Sequence, residues 1–328
     1  MSQIRENSAP PLVAIVVLNW NGLADTLRCI ESLTLQTYGN FHIFVVDNGS
    51  IDDSVERLRA LGDRITLIES TKNLGYTGGN NLGMERALAE GPEYLWLFNN
   101  DAIAKPETLA RLIAVAEADA AIGLLSPLVC DEAEPALIHF AGGRFDLDTP
   151  IYEPTEDLEK ARAWQQADPG HMALWGTAML VRRTLVEKIG LLDERIFAYW
   201  EDIDYSIRAA LAGFRNVMVF DAVIFHAAKP TILSPREVKP YYFYFMTRNE
   251  LLLWRKFCPL KKYLRAALWT LIRQSRQIER MRDSQAHVDA VRGGIWDGLL
   301  GKGGAYELPG ILGRLGGSTI MAAGTIFS

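Results

Sequence analysis

The sequence predicts an α/β protein built on an open, largely parallel sheet, and three observations carry that prediction. Val13 to Asn19 is an uninterrupted apolar run, rich in β-branched residues, of the kind buried on both faces of a parallel sheet. Runs of this kind alternate with stretches whose apolar residues recur at helical spacing, so the chain as far as Ile68 reads β-α-β-α-β. Each apolar run also ends in a polar cluster, and in doubly wound sheets ligands sit beyond those carboxyl ends.

The first run breaks at Trp20-Asn21-Gly22, after which Leu23, Leu27, Ile30 and Leu33 mark a helix. Phe41 to Val46 is a second strand ending at Asp47-Asn48-Gly49-Ser50, with Asp52 and Asp53 opening a helix as far as Leu61, and Ile65 to Ile68 is a third. Asn73 to Tyr76 and Gly78 to Asn81 follow it. The Gly78-Gly79 pair either lets backbone approach a nucleotide or makes the turn into a helix from Asn81 to Ala89. Tyr94 to Phe98 runs directly into Asn99-Asn100-Asp101, with Pro106 at the start of the next helix. A carboxylate at that mouth suits a hard divalent cation held against phosphate oxygens, and it equally suits a turn. Met179 to Val181 and Val217 to Phe225 are further strands. Between them, Tyr199 to Tyr205 places Glu201, Asp202 and Asp204 within four residues, ahead of a helix-like run from Ser206 to Ala212 that ends at Gly213. Crowded like charges call for a cation or for a task that uses a raised carboxylate pKa. The alternative is a helix N-terminus that favours acidic residues, with Asp204 and Arg208 paired one turn apart.

Composition is that of a globular chain: 328 residues, 49% hydrophobic and 23% charged, enough for one large α/β domain with an appendage or for two modest domains. Cys29, Cys130 and Cys258 lie far apart with no C-x-x-C spacing, so neither a disulfide framework nor a zinc cluster is suggested, which fits a reducing, cytoplasmic setting. The polar start carries no secretion signal, and no run of about 18 apolar residues suggests a membrane span. Neither G-x-G-x-x-G after the first strand nor a P-loop is present. The net charge of −6 hides an asymmetry, because Arg255 to Arg292 holds ten Lys or Arg against three acidic residues. Leu260, Leu264, Leu268, Leu271 and Ile272 share one helical face there, with Lys261, Lys262, Arg265, Arg273 and Arg276 on its flanks. Such a helix lies on an anionic membrane surface, packs on the preceding domain, or joins two subunits. Beyond Gly293-Gly294, the Gly-rich stretch to Gly317 is expected to be a loosely ordered tail.

Taken in order, several motifs resemble the family 2 glycosyltransferases, in the branch that includes bacterial rhamnosyltransferases. They are LNWNG (Leu18 to Gly22), VDNGS (Val46 to Ser50), KNLGYTGGNN (Lys72 to Asn81), LFNND (Leu97 to Asp101), GTAML (Gly176 to Leu180), LLDERIFAYWEDIDYSIRA (Leu191 to Ala209), His226 and YYFYFMTRN (Tyr241 to Asn249). The resemblance covers roughly residues 12 to 250. It implies a GT-A fold, a Rossmann-like open mixed sheet flanked by helices, with a nucleotide-binding half at about 12–125 and an acceptor half at about 126–250. Residues 251–328 would form a C-terminal helical appendage.

The resemblance also implies an inverting, single-displacement transfer of a sugar, rhamnose in the first instance, from a dTDP- or UDP-linked donor. The acceptor would be a glycan or a lipid-linked glycan of the cell surface, met at the cytoplasmic face of the membrane. Asp47 would read the nucleobase, with Asn19, Asn21, Asn73, Asn81 and Asn100 lining the donor pocket and Gly176 beside the donor sugar. Asp101, with Asn99 and Asn100 in place of the family's first acidic position, would bind Mg²⁺ or Mn²⁺, and His226 would complete that site. Asp202 would be the general base that activates the acceptor hydroxyl, its pKa raised by Glu201 and Asp204. Glu201, Trp200 and Arg248 would meet the acceptor, and Trp175, like Trp200, either stacks on a sugar or belongs to the core. Two other readings remain open on the same residues: a non-catalytic nucleotide- or glycan-binding module, and a nucleotidyltransferase.

Overall fold

A computed structural model describes residues 9–226, 238–281 and 284–306. In chain order its elements are β1 (Val13–Asn19), α1 (Leu23–Thr34), β2 (Phe41–Asn48), α2 (Ser54–Arg59), β3 (Thr66–Ser70), α3 (Gly75–Leu88), β4 (Tyr94–Asn99), β5 (Ala102–Ala104) and α4 (Thr108–Ala118). There follow β6 (Ile122–Asp131), β7 (Ile138–Phe140), β8 (Gly142–Asp146), β9 (Ile151–Thr155), α5 (Leu158–Ala167), β10 (Met172–Ala173), β11 (Ala178–Arg182) and α6 (Arg183–Ile189). The chain closes with α7 (Glu201–Leu211), β12 (Arg215–His226), α8 (Pro240–Phe257), α9 (Leu260–Arg280) and α10 (Gln285–Leu300).

The main sheet runs β3-β2-β1-β4-β11-β6-β12-β5, with β7 alongside β6, and a small second sheet runs β10-β8-β9. β1 pairs in parallel with both β2 and β4, while β11 lies antiparallel between β4 and β6, so the sheet is mixed. Its first strands are buried on both faces, which is why Val13 to Val17 and Tyr94 to Phe98 read as continuous apolar runs. The strand order reverses direction at β1 and β4, the place where an open α/β sheet leaves a crevice at its carboxyl edge.

Two expectations are corrected here. α3 starts at Gly75, not at Asn81, so the Gly78-Gly79 pair is neither a turn nor a nucleotide-facing loop. A Cβ on Gly79 would overlap Leu18 Cδ1 and one on Gly83 would meet Val16 Cγ1 at 2.5 Å, so these glycines let α3 lie close against β1. Likewise Gly293 and Gly294 do not open a loose tail, because both are buried inside α10. A Cβ on Gly294 would meet the Tyr244 carbonyl oxygen at 2.6 Å, so α10 approaches the backbone of α8. The expected tail from residue 307 onward lies outside the described residues.

Candidate active site

The parallel register sets the carboxyl ends of β1, β2 and β4 side by side, with Asn19 opposite Asp47 and Leu18 opposite Asn99. One hydrogen-bond web joins them. Asn19 Nδ2 donates to Asp47 Oδ1 at 2.8 Å, Ser50 N donates to Asp47 Oδ2 at 3.0 Å, and Asn21 N donates to Ser50 Oγ at 2.9 Å. Thr26 Oγ1 donates to Asn19 Oδ1 at 2.8 Å and receives Asn100 Nδ2 at 2.9 Å. The Asp47 carboxylate is only 1% exposed. Both its oxygens already accept a protein hydrogen bond, each keeping one further lone pair. Asn73 closes the neighbouring turn, its Oδ1 accepting from Gly75 N at 2.8 Å and from Asn48 Nδ2 at 3.1 Å.

β11 carries the second half of the site up to the first. Asn99 N donates to Thr177 O at 2.9 Å, which sets Gly176 beside the end of β4. Gly176 N then donates to Asp202 Oδ2 at 2.9 Å, and Tyr76 Oη donates to Gly176 O at 2.9 Å. A Cβ on Gly176 would meet Tyr76 Oη at 3.1 Å and Asp202 Cβ at 3.5 Å, so the small residue is what allows this approach. The Tyr76 hydroxyl is held neutral by burial first and then by the negative potential of Glu201, Asp202 and Asp101, which places all three carboxyls in one neighbourhood. Tyr76 belongs to the quoted GYTGGNN motif but carried no expected role; its position on the first turn of α3, facing Gly176, needed the fold to be seen.

Asp101 and His226 meet across the β5–β12 pair, where His226 stands opposite Ala102. His226 Nε2 lies 3.0 Å from Asp101 Oδ1, and both side chains are partly exposed. No group of three or more His, Cys, Asp or Glu that would hold a metal exists among the described residues. A divalent ion at this pair would draw its remaining ligands from phosphate oxygens and water, the usual way Mg²⁺ is bound, and the imidazole is a ligand Mn²⁺ accepts.

α7 begins at Glu201, so the acidic stretch forms its first turn rather than preceding the helix. Asp202 Oδ1 accepts from Ile203 N at 2.8 Å, opposite the Gly176 bond to Oδ2. Burial pushes this carboxyl up to about 6, against those backbone hydrogen bonds, which hold it down. The expected cause, crowding by Glu201 and Asp204, is not what raises it. Asp204 is fully buried and bonded to Arg208 Nε at 2.7 Å and Lys256 Nζ at 2.5 Å, so its charge is compensated. Glu201 is buried, its Oε2 has no hydrogen-bond partner among the described residues, and burial followed by repulsion from Asp202 keeps it well above the carboxylate range. Asn99 Oδ1 and Trp200 Nε1 are also buried without partners. Asn99 stands at the end of β4, and Trp200 and Glu201 are consecutive at the start of α7.

Tyr199 and Trp200 both adopt left-handed backbone, at φ 66° and 74°, immediately before Asp202's helix. Consecutive non-glycine residues in that region are strained, and Asn249 Nδ2 holds them by donating to Ala198 O at 2.7 Å and Tyr199 O at 2.9 Å. Two expected ligand contacts are corrected. Arg248 is fully buried and donates to Asn249 Oδ1, Gly304 O and Arg195 O, so it fastens α8 to two loops and faces no ligand. Asn81 is buried on Leu192 and Glu194, tying α3 to the loop before α7. Trp175 stacks on Phe140 with ring centroids 4.3 Å apart, as part of the core's edge.

The model of glycosyl transferase family 2 matches residues 14–190. The chain belongs to this glycosyltransferase family. Galactofuranosyltransferase GlfT1 of Mycobacterium tuberculosis is 30% identical over 217 residues, 65% of this chain and 69% of that relative. N-acetylglucosaminyl-diphospho-decaprenol L-rhamnosyltransferase of the same organism is 28% identical over 219 residues, 61% of this chain and 70% of that relative. Among solved structures, mannosyltransferase PcManGT of Pyrobaculum calidifontis, in complex with GDP-Man and Mn²⁺, superposes with a TM-score of 0.56 at 16% identity over 98% of this chain and 81% of its own. GalNAc-T7 with UDP, GalNAc and Mn²⁺ gives 0.53 at 14% identity over 67% of this chain and 44% of its own. These likenesses establish the GT-A type of fold for the family 2 glycosyltransferase described here.

Proposed function

We propose that this glycosyltransferase moves a sugar, with inversion, from a nucleoside diphosphate to a hydroxyl of a lipid-linked surface glycan, and that Asp202 is its general base. The observation that carries the reading is the Asp202 carboxyl: partly accessible, held by two backbone N–H groups beside Gly176, and pushed up to about 6. A base with that pKa is ionised at neutral pH yet basic enough to accept a proton from an attacking sugar hydroxyl. Direct attack on the anomeric carbon opposite the departing nucleotide inverts that centre, and no second nucleophile is required.

The donor nucleotide is assigned to the crevice at the ends of β1, β2 and β4, where Asp47 and Asn19 shape the loop 47–51 and Asn21, Asn73 and Asn100 line its rim. Asp101 and His226 would hold a Mg²⁺ or Mn²⁺ ion, whose chemistry is to neutralise the charge developing on the leaving diphosphate. Asn99 and Gly176 position the donor between that pair and Asp202. The lipid-linked acceptor is supported by the rhamnosyltransferase relative, whose name specifies a diphospho-decaprenol acceptor. Rhamnose and galactofuranose are the donor sugars that the relatives favour.

Thermal stabilisation by UDP, dTDP and GDP, with and without Mn²⁺, tests the reading. A metal-dependent shift with one of the three, lost in Asp101→Ala, is the expected result. No shift with any of them in the wild type overturns the donor site. A transfer assay with the activated donors of rhamnose and galactofuranose then decides the sugar.

A further inference from the structure

α9 presents three stripes. Tyr263, Ala266, Ala267, Thr270 and Gln274 pack inward. Leu260, Leu264 and Leu268, spaced one turn apart, are turned to solvent, the first of them 70% exposed. Between these two stripes run Arg265, Trp269 and Arg273, and they form one wall of a cavity of about 510 Å³. Its other walls are Tyr152 on β9, Trp200 at the start of α7, and Glu250 and Trp254 on α8.

Two of the cavity's lining residues, Trp200 and Tyr152, lie near the proposed base. Trp200 stands two residues before Asp202, the Tyr152 hydroxyl senses the Asp202 charge, and the two rings meet edge to face at 5.7 Å. Trp200 is the residue that this wall shares with the start of α7. Arg273 is ion-paired with Glu250, whereas Arg265 has no ion-pair or hydrogen-bond partner among the described residues. Aromatic faces beside a guanidinium are the surface that takes a sugar ring next to a phosphate. An exposed leucine ridge edged by Lys261, Arg265 and Arg276 is complementary to an anionic bilayer.

We propose that this cavity is the acceptor site, taking the sugar-diphosphate head group of a membrane lipid, while the Leu260–Leu268 ridge rests on the bilayer that carries it. The inference rests on the lipid-linked acceptor reading above and adds the place and the recognition chemistry. Arg265 meets the diphosphate, the aromatic walls meet the sugar, and the lipid chain leaves along the ridge. The acceptor hydroxyl then reaches Asp202 past Trp200.

The test uses the full chain with the donor site filled by the stabilising nucleotide and Mn²⁺, so that an added diphosphate has no access there. Farnesyl diphosphate is titrated against tryptophan fluorescence, with inorganic pyrophosphate as the second arm. The expected result is quenching by farnesyl diphosphate that weakens about tenfold or more in Arg265→Ala and in Trp269→Ala, the loss expected for one charge-assisted contact or one aromatic contact. Equal affinity of wild type and both variants overturns the site, and so does equal affinity for pyrophosphate and farnesyl diphosphate, which would make it a simple anion site. In parallel, wild type should sediment with vesicles of equal parts phosphatidylcholine and phosphatidylglycerol but not with phosphatidylcholine alone. Leu264→Glu/Leu268→Glu, which melts like wild type because both positions are exposed, should stay in the supernatant. Unchanged sedimentation of that variant overturns the ridge. Nucleotide binding is read separately in all variants, so a failure of the donor reading shows itself there and not here.

Discussion

Glu201 and Asp202 are adjacent carboxyls on one helical turn, and burial raises the pKa of both. Asp202 keeps two backbone N–H donors and some solvent, whereas Glu201 is buried with an oxygen unpartnered. In its proposed role as base Asp202 would work when ionised, so kcat should fall about tenfold per pH unit below about 6 and level off above it. Its folded-state pKa lies above the ordinary 3.8, so the stability it contributes is full below about 4 and is lost as pH rises through about 6. Asp202→Asn should lower kcat by about 10²–10⁴-fold with nucleotide affinity unchanged, and should abolish that part of the pH dependence of unfolding. Burial and the Asp202 charge favour the protonated form of Glu201, which Glu201→Gln copies, so the melting temperature of that variant should move by no more than about 2 °C. A drop in kcat as deep as that of Asp202→Asn would reassign the base to Glu201. The acidic cluster was legible in the sequence. The difference in burial between Glu201 and Asp202 was not, because it depends on which residue the helix start leaves accessible.

At the scale of elements, the strands were the most legible part, since β1 and β4 are apolar throughout and their carboxyl ends are marked by Asn and Asp. The start of α3 was hidden by Asn73 to Gly79, whose composition is that of a loop. Its glycines are in a helix because β1 demands a flat helical face. Gly79→Ala should therefore destabilise by about 1–3 kcal/mol in urea unfolding, even though alanine favours a free helix by about 1 kcal/mol. An unchanged or raised midpoint would show that α3 has room to move off Leu18. The left-handed Tyr199–Trp200 turn was equally hidden, since no glycine marks it and what holds it, Asn249, is far away in sequence. The same distance hid Lys256, which belongs to the fully buried Asp204 with Arg208 rather than to a surface charge patch. Removing one member of such a set strands the others, so Asp204→Ala should cost about 3–5 kcal/mol in the same measurement.

For the whole molecule, the sequence suggested a catalytic body followed by a helical appendage beyond residue 250, because motif content stops near Asn249 and basic residues begin, and it left open whether that appendage packs on the body. The packing joins the two. Asn249 holds the turn before Asp202, Arg248 reaches the loops at Arg195 and Gly304, and Lys256 neutralises Asp204 and Asp193. α10 in turn covers α8, burying Val291 and Ile295 completely, a contribution of roughly 3–6 kcal/mol from those two side chains. The crevice proposed for the donor, at β1, β2 and β4, shares none of these contacts. Ending the chain after Cys258 should accordingly lower the unfolding midpoint sharply and loosen the Tyr199–Trp200 turn. Sugar transfer should then fall much more than nucleotide affinity, as measured by calorimetric titration beside a transfer assay. The full chain should unfold in a single calorimetric transition, because the residues that hold Asp202 and the helices that support them pack as one unit. Two resolved transitions, with transfer activity surviving the loss of the first, would mean instead that α9 and α10 are dispensable to the catalytic geometry and serve only to bring the enzyme to its acceptor.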